Sequence, residues 1–398
     1  MSVSQLCTTA IDDGVRVRTF VEDVFTSLHR VEQHRWARAY LNGLVRGSAR
    51  KAPLEQAYAA RLPQATANGL HHFINASPWD WQPVRRRLAL RIAANTTPYA
   101  WTVAELITPK RGEHSVGVHR RLDAATTRTI NCQRSLGFFL ATDAGCFPVD
   151  WSLVLKDTWD WDGELRSRAR IPDSEASRPV GAYVLDYADN AAAEPGLPNV
   201  PWMLDLTRCD DAAGVLAGLV RRHLDFACEV DPGQLVVTGR PSVITVGALM
   251  ETRRGQQSHM MTRQAADGRS NPVEIYAASV RLPLHDTFTD GKSRMVRVLE
   301  WPDPNRQRPS RYWITGFTNR RVGEVLSLVR ARVAALATVA ELDEHFGASD
   351  FEGRSFPGWH HHMTMTSAAY AFQNLRGADD VLPAMSATQP TKLARTAH

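Results

Sequence analysis

The chain has 398 residues, of which 43% are hydrophobic and 22% are charged, and its formal net charge is +5 at pH 7. These are ordinary globular values, and the length suffices for two or three domains with well-buried cores. So small a basic excess permits contact with DNA or another anion, and it is equally typical of a solvated surface rich in arginine.

The cysteines and the apolar runs exclude several classes of protein. The five cysteines are widely spaced and form no CxxC pair, so neither a disulfide framework nor a zinc ribbon is indicated. No apolar run approaches the roughly 18 residues of a membrane span, and no signal peptide is apparent. We therefore expect a cytoplasmic protein without membrane contact.

The first part of the chain, from about residue 14 to residue 94, has apolar residues at helical spacing. In the stretch "NASPWDWQPVRRRLALRIAAN", Ser77 precedes Pro78, which predicts an N-cap followed by proline at the first helical position. The three consecutive arginines Arg85, Arg86 and Arg87 in this stretch fit either phosphate contacts or a solvated helix face. We predict a helical N-terminal domain over residues 1–95.

The middle and C-terminal parts show strand patterns followed by helical ones. Strands are predicted near 101–107, 115–120, 130–141, 148–156 and 201–206, the last followed by one helix, "DDAAGVLAGLVRRHLDFACEV". Short β-rich runs from 234 to 316 predict an all-β insert, and helices follow at 322–346 and 360–375. A polar tail is predicted to be disordered. The predicted domain boundaries are 1–95, 96–231, 232–318, 319–375 and 376–398.

Five segments in fixed order carry a resemblance. They are "HRWARAYLNGLVRGSARK", "HHFINASPWDWQPVRRRLA", "KRGEHSVGVHRR", "NCQ" at 131–133, and "FEGRSFPGWHHHMTM". In these segments the chain resembles the DDE transposases of the 701 group of bacterial insertion sequences. The resemblance implies an α/β fold: an RNase H-like core, a helical DNA-binding N-terminal domain, and an all-β insert before the last core helices.

The resemblance also implies where the three catalytic carboxylates of the family would lie. Counting back from Ser115 places Ala104 on the first aspartate, with Glu105 beside it. The second aspartate is retained as Asp205. The third carboxylate, a helix glutamate, aligns with Leu336. Two of the three positions therefore lack a carboxylate.

These losses bear directly on the chemistry. DDE cleavage uses two divalent ions about 3.5–4 Å apart, which clamp the attacking and leaving oxygens. Such ions need hard oxygen ligands, which Ala104 and Leu336 cannot supply. Neighbouring strand residues face opposite sides of a sheet, so Glu105 should point away from the lost position. We expect no nuclease activity, no bound metal and no cofactor.

A different site is predicted from the residues that remain. Lys156 ends the strand "WSLVLK", where the family has proline, and it adds a cation near a sheet end. Lys156, Glu105, Glu113 and Asp205 are predicted to meet in one crevice of the α/β core. A lysine there can act as a general base or bind an anionic leaving group, although a surface lysine is the commoner reading.

Three interpretations remain open. The first is a biosynthetic enzyme that acts on a small molecule with an anionic group. Here the general pattern is similar to that of the larger subunit of azinomycin-type aziridine-forming cyclases, which implies a small partner protein and amine attack with loss of a group such as sulfate. The second is a DNA-binding protein that does not cleave DNA, and the third is a divergent active transposase. Steep salt dependence of DNA binding would favour the second.

Overall fold

A computed structural model describes most of the chain. The described residues are 3–46, 64–122, 127–156, 158–239, 242–253, 258–264, 270–283, 294–302 and 309–375. The predicted disordered tail from residue 376 lies outside them. Among the helices of these residues, none combines the length and the apolarity that a bilayer crossing requires.

Helices occupy both ends of the described part of the chain and alternate with strands between them. The helices are α1 (Val3–Val24), α2 (Val31–Arg46), α3 (Gln64–Asn75), α4 (Trp81–Asn95), α5 (Thr158–Trp161), α6 (Gly163–Ala169), α7 (Val180–Ala193), α8 (Ala212–Arg221), α9 (Val246–Arg253), α10 (Val322–Ser327), α11 (Val329–Phe346) and α12 (Phe356–Asn374). The strands are β1 (Pro98–Pro109), β2 (His119–Leu122), β3 (Thr129–Thr142), β4 (Gly145–Leu153), β5 (Trp202–Asp205), β6 (Phe226–Val230), β7 (Leu235–Thr238), β8 (Ser242–Thr245), β9 (Ser258–Gln264), β10 (Ser270–Val280), β11 (Val296–Trp301) and β12 (Arg311–Thr315).

The central sheet has the strand arrangement of an RNase H-like core. β3 pairs antiparallel with both β1 and β4, whereas β5 pairs parallel with β1 and β6 pairs parallel with β5. The α7 side of this sheet is aromatic: the ring of Tyr187 contacts those of Trp101, Phe138 and Trp202. Helix α11 packs on the opposite side, against β1 and β4. The predicted α/β class and its RNase H-like core are confirmed.

The β-rich region continues the same sheet. β12 pairs antiparallel with β6, and β11, β10 and β9 follow it in order toward the far edge. β7 and β8 form a separate hairpin, and the short helix α9 follows that hairpin. The boundaries of the predicted domains stay predictions, because one sheet runs through both the core and the insert.

Helix α12 joins the N-terminal helices to the sheet. It packs against α2, α3 and α4 on one side and against β4 on the other. Its side chains from Met363 to Phe372 are buried without a break. A helix that is enclosed on all sides needs no polar face, which explains why its sequence shows little helical periodicity.

Two helix boundaries were predicted wrongly. Helix α4 begins at Trp81 rather than at Pro78, and its N-cap is Asp80, whose carboxylate accepts from the Gln82 amide at 2.9 Å. Ser77 instead lies in the irregular segment between α3 and α4, where its hydroxyl accepts from the side-chain amide of Gln33 at 3.2 Å. The helix predicted to run through "DFACEV" ends at Arg221. His223 then adopts a positive φ of 55°, and β6 begins at Phe226.

Candidate functional site

A cleft opens at the end of the central sheet, where two parallel strands separate. β1 and β5 pair only at Trp101–Trp202 and Thr102–Met203. Beyond these pairs lies a cavity of about 500 Å³. Its charged lining residues are Glu105, Asp205, Arg121, Arg134, Arg208 and Arg332. Such a volume suits a small organic molecule, because ligand pockets typically span about 300–1,000 Å³.

The structure brings the three positions aligned with DDE carboxylates to this one cleft. Ala104 on β1, Asp205 at the end of β5 and Leu336 on α11 all line it. Since β1, β5 and α11 converge here, the arrangement matches the place that the resemblance implies. Of the three side chains, only that of Asp205 carries an oxygen ligand.

Arg332 fills the space beside Asp205. It lies on α11 one turn before Leu336, so the two side chains share a face of the helix. Its guanidinium donates to the Asp205 carboxylate and lies 3.5 Å from Glu229, the cross-strand neighbour of Asp205 on β6. A cation therefore stands next to the retained carboxylate.

Asp205 is fixed on its other oxygen as well. Its Oδ1 accepts from the backbone amide of Thr207 at 3.0 Å and from the Thr207 hydroxyl at 2.6 Å. Oδ2 takes the guanidinium of Arg332. Both oxygens thus have partners, which holds the carboxylate in one orientation.

Glu105 lies on the other face of the sheet. Its cross-strand neighbour is Leu136, and the adjacent pair Val103–Phe138 faces the ring of Tyr187 on α7. Arg134 donates to Glu105 Oε1, with its Nε at 3.2 Å, and Arg121 lies 3.5 Å from Oε2. The second oxygen of Glu105 is therefore only weakly engaged.

Two of the predicted site residues lie elsewhere. Within the described part of the chain, the lining of the cleft includes neither Lys156 nor Glu113. Both side chains are exposed, Lys156 after the end of β4 and Glu113 in the turn between β1 and β2. The structure thus brings together Glu105 and Asp205 but not the four residues predicted to meet. The reason for Lys156 is that β4 pairs with β3, so that both β3 and β1 lie between β4 and β5.

The arginines of the cleft were missed in the sequence. Arg332 lies four residues before Leu336, a spacing that places both on one side of a helix. Arg134 lies on β3 opposite Ile107, two residues from Glu105 on the same face of β1. The first signal depends on how α11 packs on the sheet and the second on which strands pair, and the sequence alone provides neither.

The residues of the cleft do not fit the metal pair of the DDE family. In the part of the chain that the structure describes, no three or more His, Cys, Asp or Glu side chains are grouped to hold a metal ion. Ala104 and Leu336 offer no oxygen, and Asp205 is paired with Arg332. Cys209 also lines the cleft, and burial raises the pKa of its thiol, which keeps it protonated at neutral pH.

The remaining motifs have structural roles. His361 contacts the carbonyl oxygens of Ile74 and Trp79, each at 2.8 Å, and burial lowers its pKa to about 4. Cys132 is buried in β3.

Arg85 is 2% exposed and pairs with Asp150 at 2.6 Å, so it is unavailable to phosphates. Arg86 and Arg87 also pair with carboxylates, those of Glu194 and Asp23.

Comparison with known proteins identifies the family of the chain. Residues 23–279, more than half of the chain, match the model of the family described as DDE superfamily endonuclease. The matched range includes Ala104, Glu105 and Asp205, and it ends before Arg332 and Leu336. In the comparison with curated proteins, none matches the chain.

Proposed function

We propose, from the premise that the chain belongs to the DDE superfamily of endonucleases, that it is a transposase-derived protein whose cleft works without metal ions on a small organic anion. The group that carries this proposal is Arg332, whose guanidinium binds the retained Asp205 between Ala104 and Leu336. Two-metal cleavage needs carboxylates at all three positions. A site with a carboxylate at only one of these three positions, and with a cation bound to it, lacks the ligands for such cleavage.

The charge of the lining supports a ligand with an anionic group. Four arginines and two carboxylates line the cleft, which leaves a formal excess of two positive charges, 4 − 2. Guanidinium groups bind carboxylate, sulfate and phosphate oxygens through paired hydrogen bonds. Apolar side chains such as Val103, Leu136 and Val184 line the same cavity. The cleft therefore suits an anionic group joined to an apolar body.

The reaction that fits such a site is an intramolecular displacement, as the resemblance to aziridine-forming cyclases implies. An amine nitrogen of the substrate attacks a carbon, and the C–O bond to the anionic leaving group breaks with its electron pair. The N–H proton passes to a carboxylate. Glu105 is the better acceptor, because its Oε2 has only the 3.5 Å contact with Arg121, whereas Asp205 is engaged on both oxygens.

The test combines DNA cleavage with anion binding. Supercoiled plasmid is incubated with the protein and Mg²⁺ or Mn²⁺, and thermal unfolding is followed with sulfate or phosphate in the presence of EDTA. We expect no nicking, and we expect anions to raise the melting temperature whether or not metals are chelated.

Two outcomes would contradict the proposal. Nicking that disappears in Asp205→Asn would show a surviving DDE nuclease. Tight binding of duplex DNA with a steep salt dependence, together with no response to small anions, would favour a DNA-binding protein that does not cleave.

A further inference from the structure

Four charged side chains form a closed cluster at the end of β5 and β6. Asp205 and Glu229 are cross-strand neighbours, and Arg332 contacts both. Arg311 from β12 binds Glu229 with two hydrogen bonds of 2.7 and 2.6 Å. The cluster holds two carboxylates and two guanidinium groups and is therefore neutral.

Burial makes this charge balance necessary. Glu229 is 7% exposed, and a carboxylate that leaves water is tolerated only beside a cation. Arg311 alone would balance Glu229 and would leave Asp205 with its Thr207 contacts and no cation. Arg332 supplies the missing charge from α11, the helix that carries the position of the family's third carboxylate.

We infer that Arg332 is an internal cation that takes the place a metal ion has in the family's site and positions Asp205. The inference rests on the part of the proposed function in which the cleft works without metals. Ala104 and Leu336 supply no oxygen ligand to a metal ion. The remaining ligand, the carboxylate of Asp205, is bound by the guanidinium of Arg332. A divalent ion that approached Asp205 would meet a positive charge already hydrogen-bonded there.

The inference assigns different tasks to the two carboxylates of the cleft. Asp205 anchors Arg332 and orients its remaining N–H groups toward the cavity, so it is a positioning residue. Glu105 keeps a weakly engaged oxygen and is available to the ligand. Arg332 can then bind an anionic ligand through its fixed positive charge, as a metal ion would bind a phosphate.

The experiment restores carboxylates at the two apolar positions, Ala104 and Leu336, and then removes the guanidinium of Arg332. Mn²⁺ binding is measured by electron paramagnetic resonance of the free ion, on protein without DNA or any small anion. The variants are Ala104→Asp with Leu336→Glu, the same pair with Arg332→Ala, and the same pair with Arg330→Ala. Arg330 is the matched control, because it lies on α11, is exposed and stacks on Tyr99 at 4.1 Å.

We expect the triple variant that lacks Arg332 to bind Mn²⁺ at least tenfold more tightly than the other two. No gain in Mn²⁺ affinity when Arg332 is removed, or an equal gain when Arg330 is removed instead, would overturn the inference. Circular dichroism checks folding, and Arg332→Gln replaces Arg332→Ala if the alanine variant does not fold. Because neither plasmid nor anion is present, a failure here is distinguishable from a failure of the proposed function.

Discussion

Ala104 and Glu105 are neighbours in β1 whose side chains lie on opposite faces of the sheet. Ala104 is the cross-strand neighbour of Gly137 on the side of α11, and Glu105 pairs with Arg134 on the side of α7. Successive side chains of a strand point to opposite faces of the sheet, so Glu105 cannot replace the lost aspartate by a small shift. The cleft spans both faces only because β1 and β5 separate beyond Thr102.

Replacing the carboxylate of Glu105 should destabilise the fold. Glu105→Gln leaves Arg134, whose side chain is 14% exposed, without a counter-charge. We expect a loss of about 1–2 kcal/mol in the free energy of unfolding, because hydrogen bonds to charged groups contribute about 1.5–3 kcal/mol and this pair is partly exposed. Urea denaturation at pH 7 measures the change.

Glu113→Gln is the control for that measurement. Glu113 is exposed and forms no ion pair with any residue that the structure describes. Its replacement should change the free energy of unfolding by less than about 0.5 kcal/mol. Equal effects of the two substitutions would contradict the assigned ion pair between Glu105 and Arg134.

Arg208, rather than Lys156, should control the affinity for small anions. Arg208 lines the cleft, is exposed, and makes no ion pair within the described residues, so its guanidinium is available. We expect Arg208→Ala to weaken sulfate or phosphate binding about tenfold, as the loss of a charged hydrogen bond of about 1.5 kcal/mol implies. Lys156→Ala should leave the affinity within about twofold. Calorimetric titration compares them, and the opposite ranking would return the site to Lys156.

Arg85 should matter for stability far more than its neighbour Arg86. Arg85 donates to Asp150, to Thr364 and to the carbonyl oxygens of Trp151 and His360. Breaking a buried ion pair by removing one partner costs about 3–5 kcal/mol, and we expect Arg85→Met to lose at least that much. Arg86 is 62% exposed, so Arg86→Met should lose less than about 1 kcal/mol. Chemical denaturation measures the free energy of unfolding of both variants. Similar losses in the two would be inconsistent with a buried network around Arg85.

The architecture was largely predictable from the sequence. Period-two patterns and apolar runs gave the strands of the core, and family motifs in fixed order gave their connection. The second predicted strand is shorter than expected, however, and begins at His119 rather than at Ser115. The helix after β5 was predicted too long, because "DFACEV" is an apolar run that fits a buried strand or a helix equally well.

Residues of the cleft were predictable only where their distance from a family motif along the chain fixes their place. The family resemblance predicts the three carboxylate positions at Ala104, Asp205 and Leu336, and these three residues line one cavity. Arg332 and Arg134 reach the cleft from α11 and β3, far away in sequence, so only strand order and helix packing reveal them. Lys156 does not line the cleft for a similar reason, because it follows β4, which pairs with β3 and not with β1 or β5.

His362 should make the stability of the fold depend on pH. It is buried as a neutral ring, with Nε2 at 3.0 Å from the carbonyl oxygen of Gly347 and Nδ1 at 3.1 Å from the Tyr40 hydroxyl. Donation from Nε2 and acceptance at Nδ1 satisfy the neutral form, and burial lowers the pKa from 6.5 to about 4. Protonation therefore favours the unfolded state as the pH falls.

Because the unfolded ring binds its proton near pH 6.5 and the folded ring near pH 4, stability should be lost progressively between these values. The full contribution of one such histidine is about 3 kcal/mol. We expect His362→Gln to lower the free energy of unfolding at pH 7. Between pH 6.5 and 5, this variant should lose about 2 kcal/mol less of that free energy than the unmodified protein loses. The exposed His345→Gln serves as control, and urea midpoints at several pH values provide the data. A slope unchanged in His362→Gln would show that this ring does not titrate on unfolding.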